Sequence, residues 1–378
     1  MSLPRERLPA PRSWGVHSRA VAYTGVLAVV LAGTVLVGAR VGYEPIGYGT
    51  IARATLNAVS VPVPAPEWGV WHLGPVSLPG PVVEVGWLSP FAFAVSEAHQ
   101  VIVVRLRLPR IVLGAAVGFA LATAGTVMQG FFRNPMADPS IVGVSSGGAV
   151  GAVAAIVASV SIPFALPVAA FLGAVGAAAL VYAIATEDGR TPVATLLLAG
   201  VAMQTFLGAV VAYMLVTSGR SLREAYLWLL GHLQWSTWDK VAVIVPVALL
   251  SFAVLYAHAR ELNLMLLGEE EAAALGVDVE RTKRVLLAVA SVVTGAAVAV
   301  SGVIGFVGLV VPHLARLVVG PDHRVLLPTS ALGGAVFLVA TDTVARLGAL
   351  ELPVGIVTAF LGAPFFLFLL RHQEVHEL

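Results

Sequence analysis

The sequence predicts an all-α, polytopic membrane protein with about ten transmembrane helices, on three observations. The 378 residues are 58% hydrophobic and only 11% charged, with a mean hydropathy of +0.92, whereas a soluble domain carries about 25% charged residues. Apolar runs of span length recur along the chain. Arginines gather at alternate ends of those runs, as the positive-inside rule requires. The net charge of +1 provides no basic field for nucleic acid. The chain has no cysteine, which removes disulfides, thiolate metal sites and cysteine nucleophiles.

The elements follow in order. Residues 1–20 carry Arg5, Arg7, Arg12 and Arg19 and read as a cytoplasmic tail before a first span at 21–40. A signal peptide has a similar start, but this apolar run has full span length and no clean cleavage site follows it. Residues 42–104 read as a long extracellular loop, rich in Pro, Gly and Trp, either loosely structured or used for binding. Further spans are expected near 108–129, 141–161, 164–186, 192–217, 240–259, 285–303, 304–318, 325–347 and 354–371. The whole of 21–371 is then one permease-like domain, and 372–378 is a cytoplasmic tail. Gly147 and Gly151 form a pair of small residues that lets helix backbones approach in lipid.

The densest charge in the second half is Asn263–Arg284, within the cytoplasmic segment 262–284. Glu269, Glu270 and Glu271 follow Gly268, where carboxylates suit the positive end of a helix dipole. Gly276 suits a helix stop, and Asp278 suits the cap of a helix that runs on into a span. A soluble partner gripping this device would move the spans attached to it; an ordinary solvated loop is the alternative.

The chemistry is as informative for what is missing. There is no Gly-x-x-x-x-Gly-Lys-Ser/Thr loop to cradle ATP, no His-Glu-x-x-His and no evident catalytic triad. His372 and His376 share a helical spacing but have no third ligand nearby, so no metal site is expected. An ion-coupled carrier places carboxylates or broken helices near mid-membrane. The candidate here is Asp342 with Arg346 toward a span end, spaced for an ion pair within one helix. The energy source is therefore expected outside this chain. Arg107 and Arg110 bracket Pro109 at one mouth of a span, and Asn134-Pro-Met136-Ala-Asp-Pro breaks the helix at the other.

At these residues the chain resembles the FecCD-type permeases of ABC importers, which carry iron–siderophore complexes, haem and vitamin B12. The likeness rests on RLPR (107–110), RNPMADPSIVGVSSG (133–147), LLLAGVAMQ (196–204), LNLMLLGEEEAAALGV (262–277), GVIGFVGLVVPHLARL (302–317), DHRVLLP (322–328) and ELPVGIVTAFLGAPFFLFLL (351–370). It covers nearly everything after residue 105 and leans toward the cobalamin permeases; 42–104 has no counterpart in that pattern.

The resemblance implies a homodimer with the path between its copies, two ATPase subunits on the cytoplasmic side and an extracellular substrate-binding protein. ATP and Mg would be bound by the ATPase, and no cofactor by this chain. Membrane lipid is the remaining partner. It implies an ATPase-coupling region at Gly268, Glu269, Glu270, Glu271, Ala272, Leu275, Gly276, Asp278 and Arg281. Arg107, Arg110 and Arg346 would meet carboxylates of the binding protein, and Asn134, Met136, Val193, Ala194, Leu197 and Met203 would form the path and gate. The cobalamin permeases carry a Thr-Ser pair where Val193 and Ala194 stand, so this gate is more apolar. The expected function is the permease of a corrinoid importer. An iron–siderophore or haem importer, and an ion-coupled carrier, are the alternatives.

Overall fold

The computed structural model describes residues 15–73, 76–348 and 350–372. Arg5, Arg7, Arg12 and His376 lie outside the described residues. The chain is helical, as expected, apart from one two-stranded sheet.

The first helix, α1 (Val16–Arg40), lies along the later helix α14 (His323–Ala345) and buries only Gly38 and Ala39. Next comes α2 (Tyr48–Asn57), which turns Ile51 and Ala54 inward. Strands β1 (Val61–Leu73) and β2 (Val76–Leu88) then form an antiparallel hairpin, Val61 opposite Leu88 and Leu73 opposite Val76. The stretch 42–104, expected as a loop, thus holds a helix and a hairpin. The strands hold Pro62, Pro64, Pro66, Pro79 and Pro81, and every one falls on a pair of the same parity, such as Pro62 with Trp87 and Trp68 with Pro81. In an antiparallel ladder one parity turns its N–H groups away from the partner strand. Prolines placed there cost no rung and leave both edges short of donors, which discourages a third strand.

The second long helix starts earlier than expected. Ser96 caps α3 (Glu97–Val101), accepting from His99 N at 3.3 Å. The chain continues through a π-wound stretch, Ile102–Arg107, into α4 (Leu108–Phe131). Pro109 has no N–H for the carbonyl one turn back; the wider winding before it, with Leu108 N bonded to Val103 O, takes up the fault. Helix α4 is the buried axis of the fold. It meets α14 where Gly118 and Gly334 face each other: a Cβ on either would collide with the other's carbonyl. Helices α5 (Val144–Val157) and α6 (Ala165–Ala185) pack in the same way, with Gly147 on Gly173 and Gly151 on Ala169.

The remaining helices are α7 (Val193–Thr217), α8 (Leu222–Leu229), α9 (Trp238–Ala257), α10 (Ala259–Met265), α11 (Glu269–Ala274), α12 (Val279–Ser301), α13 (Val307–Val319), α14 (His323–Ala345) and α15 (Val354–His372). Among the described residues, seven helices are long and apolar enough to cross a membrane. Val144–Val157, Val307–Val319 and Val354–Phe368 are apolar but shorter. Each expected span thus holds a helix, and the shorter ones fall below the roughly 20 residues a bilayer core requires.

Candidate functional site

Three features carry the chemistry: the charged turn around α11, the exposed face of α7, and a cluster of arginines at the opposite end of α4.

Around α11 the local structure follows the residue types. Gly268 has φ +135°, and the Glu271 carboxylate packs over its Cα where a Cβ would stand. Glu269, Glu270 and Glu271 fill the first turn. The helix stops in a Schellman motif: Gly276, at φ +88°, donates to Ala273 O at 3.0 Å and Val277 donates to Ala272 O at 3.0 Å. Asp278 then caps α12, its Oδ1 accepting from Arg281 N at 3.1 Å. Ala272 is buried, while Glu270, Leu275 and Gly276 are exposed. A groove of about 560 Å³ opens beside this turn, lined by His258, Glu261, Leu275, Asp278 and Arg281.

Two anchors hold the turn to the fold. Asn263, on α10, donates to Asp322 Oδ1 at 2.7 Å and accepts from the backbone N–H of His323 at 2.9 Å. Hydrogen bonds from Arg324, above all, hold the Asp322 carboxyl down at about 2, against the opposing effect of partial burial. The second anchor is Lys283, which is buried on α12. Its Nζ donates to Glu269 Oε2 at 2.5 Å, Glu280 Oε1 at 3.2 Å and Thr191 O at 3.2 Å. The sequence reading gave Lys283 no role. Its signal was modest: one of only two lysines, three residues after Glu280 and fourteen after Glu269.

Helix α7 is largely uncovered within the chain. Ala194, Leu198, Val201, Thr205, Ala209 and Val216 form one exposed stripe at helical spacing. Val193, Leu197 and Met203 fall off that stripe and pack toward the chain's own core. All three are half-buried, whereas Ala194, also expected on the path, lies on the exposed stripe. On the inner side Gln204 Nε2 donates to Ile141 O at 2.8 Å, and Gly200 rests against the same carbonyl. Asn134 is exposed in the turn after α4, its Oδ1 accepting from Met136 N at 2.9 Å. In the same turn Asp138 caps the short 3₁₀ helix Pro139–Val142 and accepts from Ser140 N at 2.8 Å; burial raises its pKa.

At the far end, Arg107, Arg110 and Arg346 are only 7%, 8% and 6% exposed. Arg107 donates to the Ala39 and Arg40 carbonyls at 2.8 and 3.2 Å and also to Glu44 O. Arg346 donates to Val41 O at 3.0 Å and pairs with Asp342 at 3.2 Å. The Ala39, Arg40 and Val41 carbonyls end α1 and have no partner within it, and cations suit the negative end of its dipole. Gly38 and Gly42 make room, since a Cβ at Gly42 would lie 2.7 Å from Arg107 Nη2. Arg110 holds Asp342 and reaches Glu351 Oε2 at 2.8 Å. The expectation that these three guanidinium groups reach out to a partner does not match this placement: they are buried and committed within the chain. At the same end Arg105, Arg220 and Arg223 are exposed. Among the described residues no His, Asp and Glu cluster with metal-binding geometry occurs.

Comparison with known proteins agrees with this architecture. The profile of the FecCD transport family matches residues 78–372. The "Cobalamin import system permease protein BtuC" of Halobacterium salinarum is 58% identical over 364 residues, spanning 96% of this chain and 99% of that protein. So long a match takes in most of 42–104. The "Hemin transport system permease protein HmuU" of Yersinia pestis is 43% identical over 291 residues, covering 74% of this chain and 86% of that protein. The "Vitamin B12 import system permease protein BtuC" of Vibrio cholerae is also 43% identical over 291 residues, covering 75% and 86%. A solved metal-chelate type ABC transporter in an inward-facing conformation superposes with a TM-score of 0.76 at 29% identity, covering 93% of this chain and 99% of that one. With seven apolar helices of span length, the chain is a multi-pass membrane protein, and it belongs to the FecCD transport family.

Proposed function

We propose that this chain is the membrane permease of an ATP-driven importer whose cargo is a cobalamin-type corrinoid. The observation that carries the substrate is the near-full-length identity of 58% to the Halobacterium salinarum protein named for cobalamin import. The family likeness alone does not choose, because relatives named for hemin and for vitamin B12 stand at the same 43%.

In this reading two copies pair through the exposed faces of their α7 helices, with the path between them. Two ATPase subunits sit on the cytoplasmic side, where they bind ATP and Mg and grip α11 from the groove beside it. An extracellular binding protein delivers the cargo to the end that carries Arg105, Arg220 and Arg223. Both termini face the cytoplasm, so α11 and Asn134 lie inside and the arginine cluster outside. Arg107, Arg110 and Arg346 then act as positioning residues that hold α1, α4 and α14 together beneath the docking surface. ATP binding moves α11, and the inner ends of the path open and close in answer. The apolar stripe of α7 suits a bulky cargo that slides past without being held.

Two experiments separate the alternatives. Titration of the partner binding protein with cobalamin, haem and ferric siderophores reads the substrate: tight binding of cobalamin alone is expected. Binding of ferric ligands alone, or of haem alone, would overturn the corrinoid assignment and leave the importer reading standing. Uptake into vesicles holding permease and ATPase reads the energy source: dependence on ATP rather than on an ion gradient is expected.

A further inference from the structure

Lys283 sits where three separate pieces of chain meet. Glu269 belongs to α11, Glu280 to the first turn of α12, and Thr191 to the turn that enters α7 two residues later. All three ammonium protons have acceptors, and the residue is 2% exposed. Thr191 is equally committed. Its carbonyl receives Lys283, its N–H is 3.3 Å from Glu280 Oε2, and its hydroxyl is 2.9 Å from that of Thr186 at the end of α6. A lysine needing only a counter-charge would be satisfied by Glu280 on its own helix. This one instead bridges the exposed, charged α11 to the segment on which α7 begins.

We infer that Lys283 is the joint through which a displacement of α11 reaches the inner end of α7; the inference rests on the importer reading above. The physical reason is the cost of separating a buried charge from its partners. Apolar contacts let helices slide, whereas a desolvated ammonium lets go only when another polar group or water replaces each partner. Glu269 cannot move away without breaking its bond to Lys283 or drawing Lys283, and with it Glu280 and Thr191, along. Lys283 is therefore a positioning residue: it touches neither cargo nor nucleotide and acts by moving Ala194 and its neighbours.

The test uses the whole complex of permease, ATPase and binding protein in vesicles. Because the chain has no cysteine, Glu270→Cys and Ala194→Cys can each carry one spin label per copy, reporting α11 and α7 separately. In the parent protein both distances between copies are expected to change on ATP binding. In Lys283→Met, the Glu270 distance should still respond while the Ala194 distance stays fixed. Uptake per ATP hydrolysed should fall by about tenfold or more, within the range that coupling between sites commonly spans. Lys283→Arg should restore both. If Lys283→Met does not assemble, Glu269→Gln, which leaves the Glu280 and Thr191 contacts in place, should show the same split to a smaller degree. An assembled Lys283→Met or Glu269→Gln protein whose Ala194 distance and uptake per ATP match the parent would overturn the inference. A parent complex with no ATP-driven uptake at all would instead overturn the importer reading, and this inference with it.

Discussion

Arg110 grips Asp342 from the side: its Nε lies 3.0 and 3.1 Å from the two carboxylate oxygens and its Nη2 lies 3.0 Å from Oδ1. The pair ties α4 to α14, and Arg346 closes on the same carboxylate from one turn away. Asp342 is therefore the anion that both buried guanidinium groups share, with Glu351 as a second partner of Arg110 alone. Asp342→Asn leaves both cations without it. Loss of one partner of a buried pair costs roughly 3–5 kcal/mol, so a large drop in thermal midpoint is expected in detergent. A midpoint close to that of the parent would contradict the assigned role.

Gly334 predicts a second loss of stability. Any side chain there meets the Gly118 carbonyl, which is backbone and cannot swing aside. Gly334→Val should force α4 and α14 apart at a cost of about 1–3 kcal/mol or more. Gly176→Val, at a glycine with open space around it, should be tolerated. Thermal unfolding of the two variants side by side checks the contrast.

Asp322 gives a pH dependence with a definite sign. Its carboxyl is held down at about 2 in the folded chain, below the ordinary 3.8. A depressed carboxylate pKa contributes stability that is fully present above the unfolded value and is lost as pH falls through the folded one. Stability should therefore decline between about pH 4 and pH 2, and Asp322→Asn should flatten that part of the profile. An unchanged slope in the variant would show that Asp322 is not held by Arg324 and Asn263.

The exposed arginines carry the docking prediction. Reversing Arg105, Arg220 and Arg223 to Glu should slow association of the binding protein by about tenfold at low salt, with the difference shrinking as salt screens the charges. The thermal midpoint should hold, because these side chains are exposed. Association rates across a salt series decide it.

Much of this was legible in the sequence for local reasons. Gly276 and Asp278 announced a helix stop and a helix start because those roles depend on a few neighbouring residues, and both stand as read. Asp342 and Arg346 pair as their spacing suggested. What escaped was non-local. The burial of Arg107 depends on the end of α1, whose Ala39 carbonyl lies 68 residues away in sequence. The link from Lys283 to Thr191 spans 92 residues. The hairpin escaped because proline argues against strands until the register shows that each one falls on the harmless parity. The orientation of α7 escaped because the helix carries no charge and only scattered polar residues, so no polar face marked which way it looks.

The central claim is that ATP spent by a partner drives cargo through this chain. Vesicles containing the permease and its candidate ATPase, supplied with binding protein and cobalamin, test it most directly. Uptake that requires hydrolysable ATP and survives collapse of the ion gradients by ionophores is the predicted result. Uptake that proceeds with ADP and disappears when the gradients collapse would contradict it.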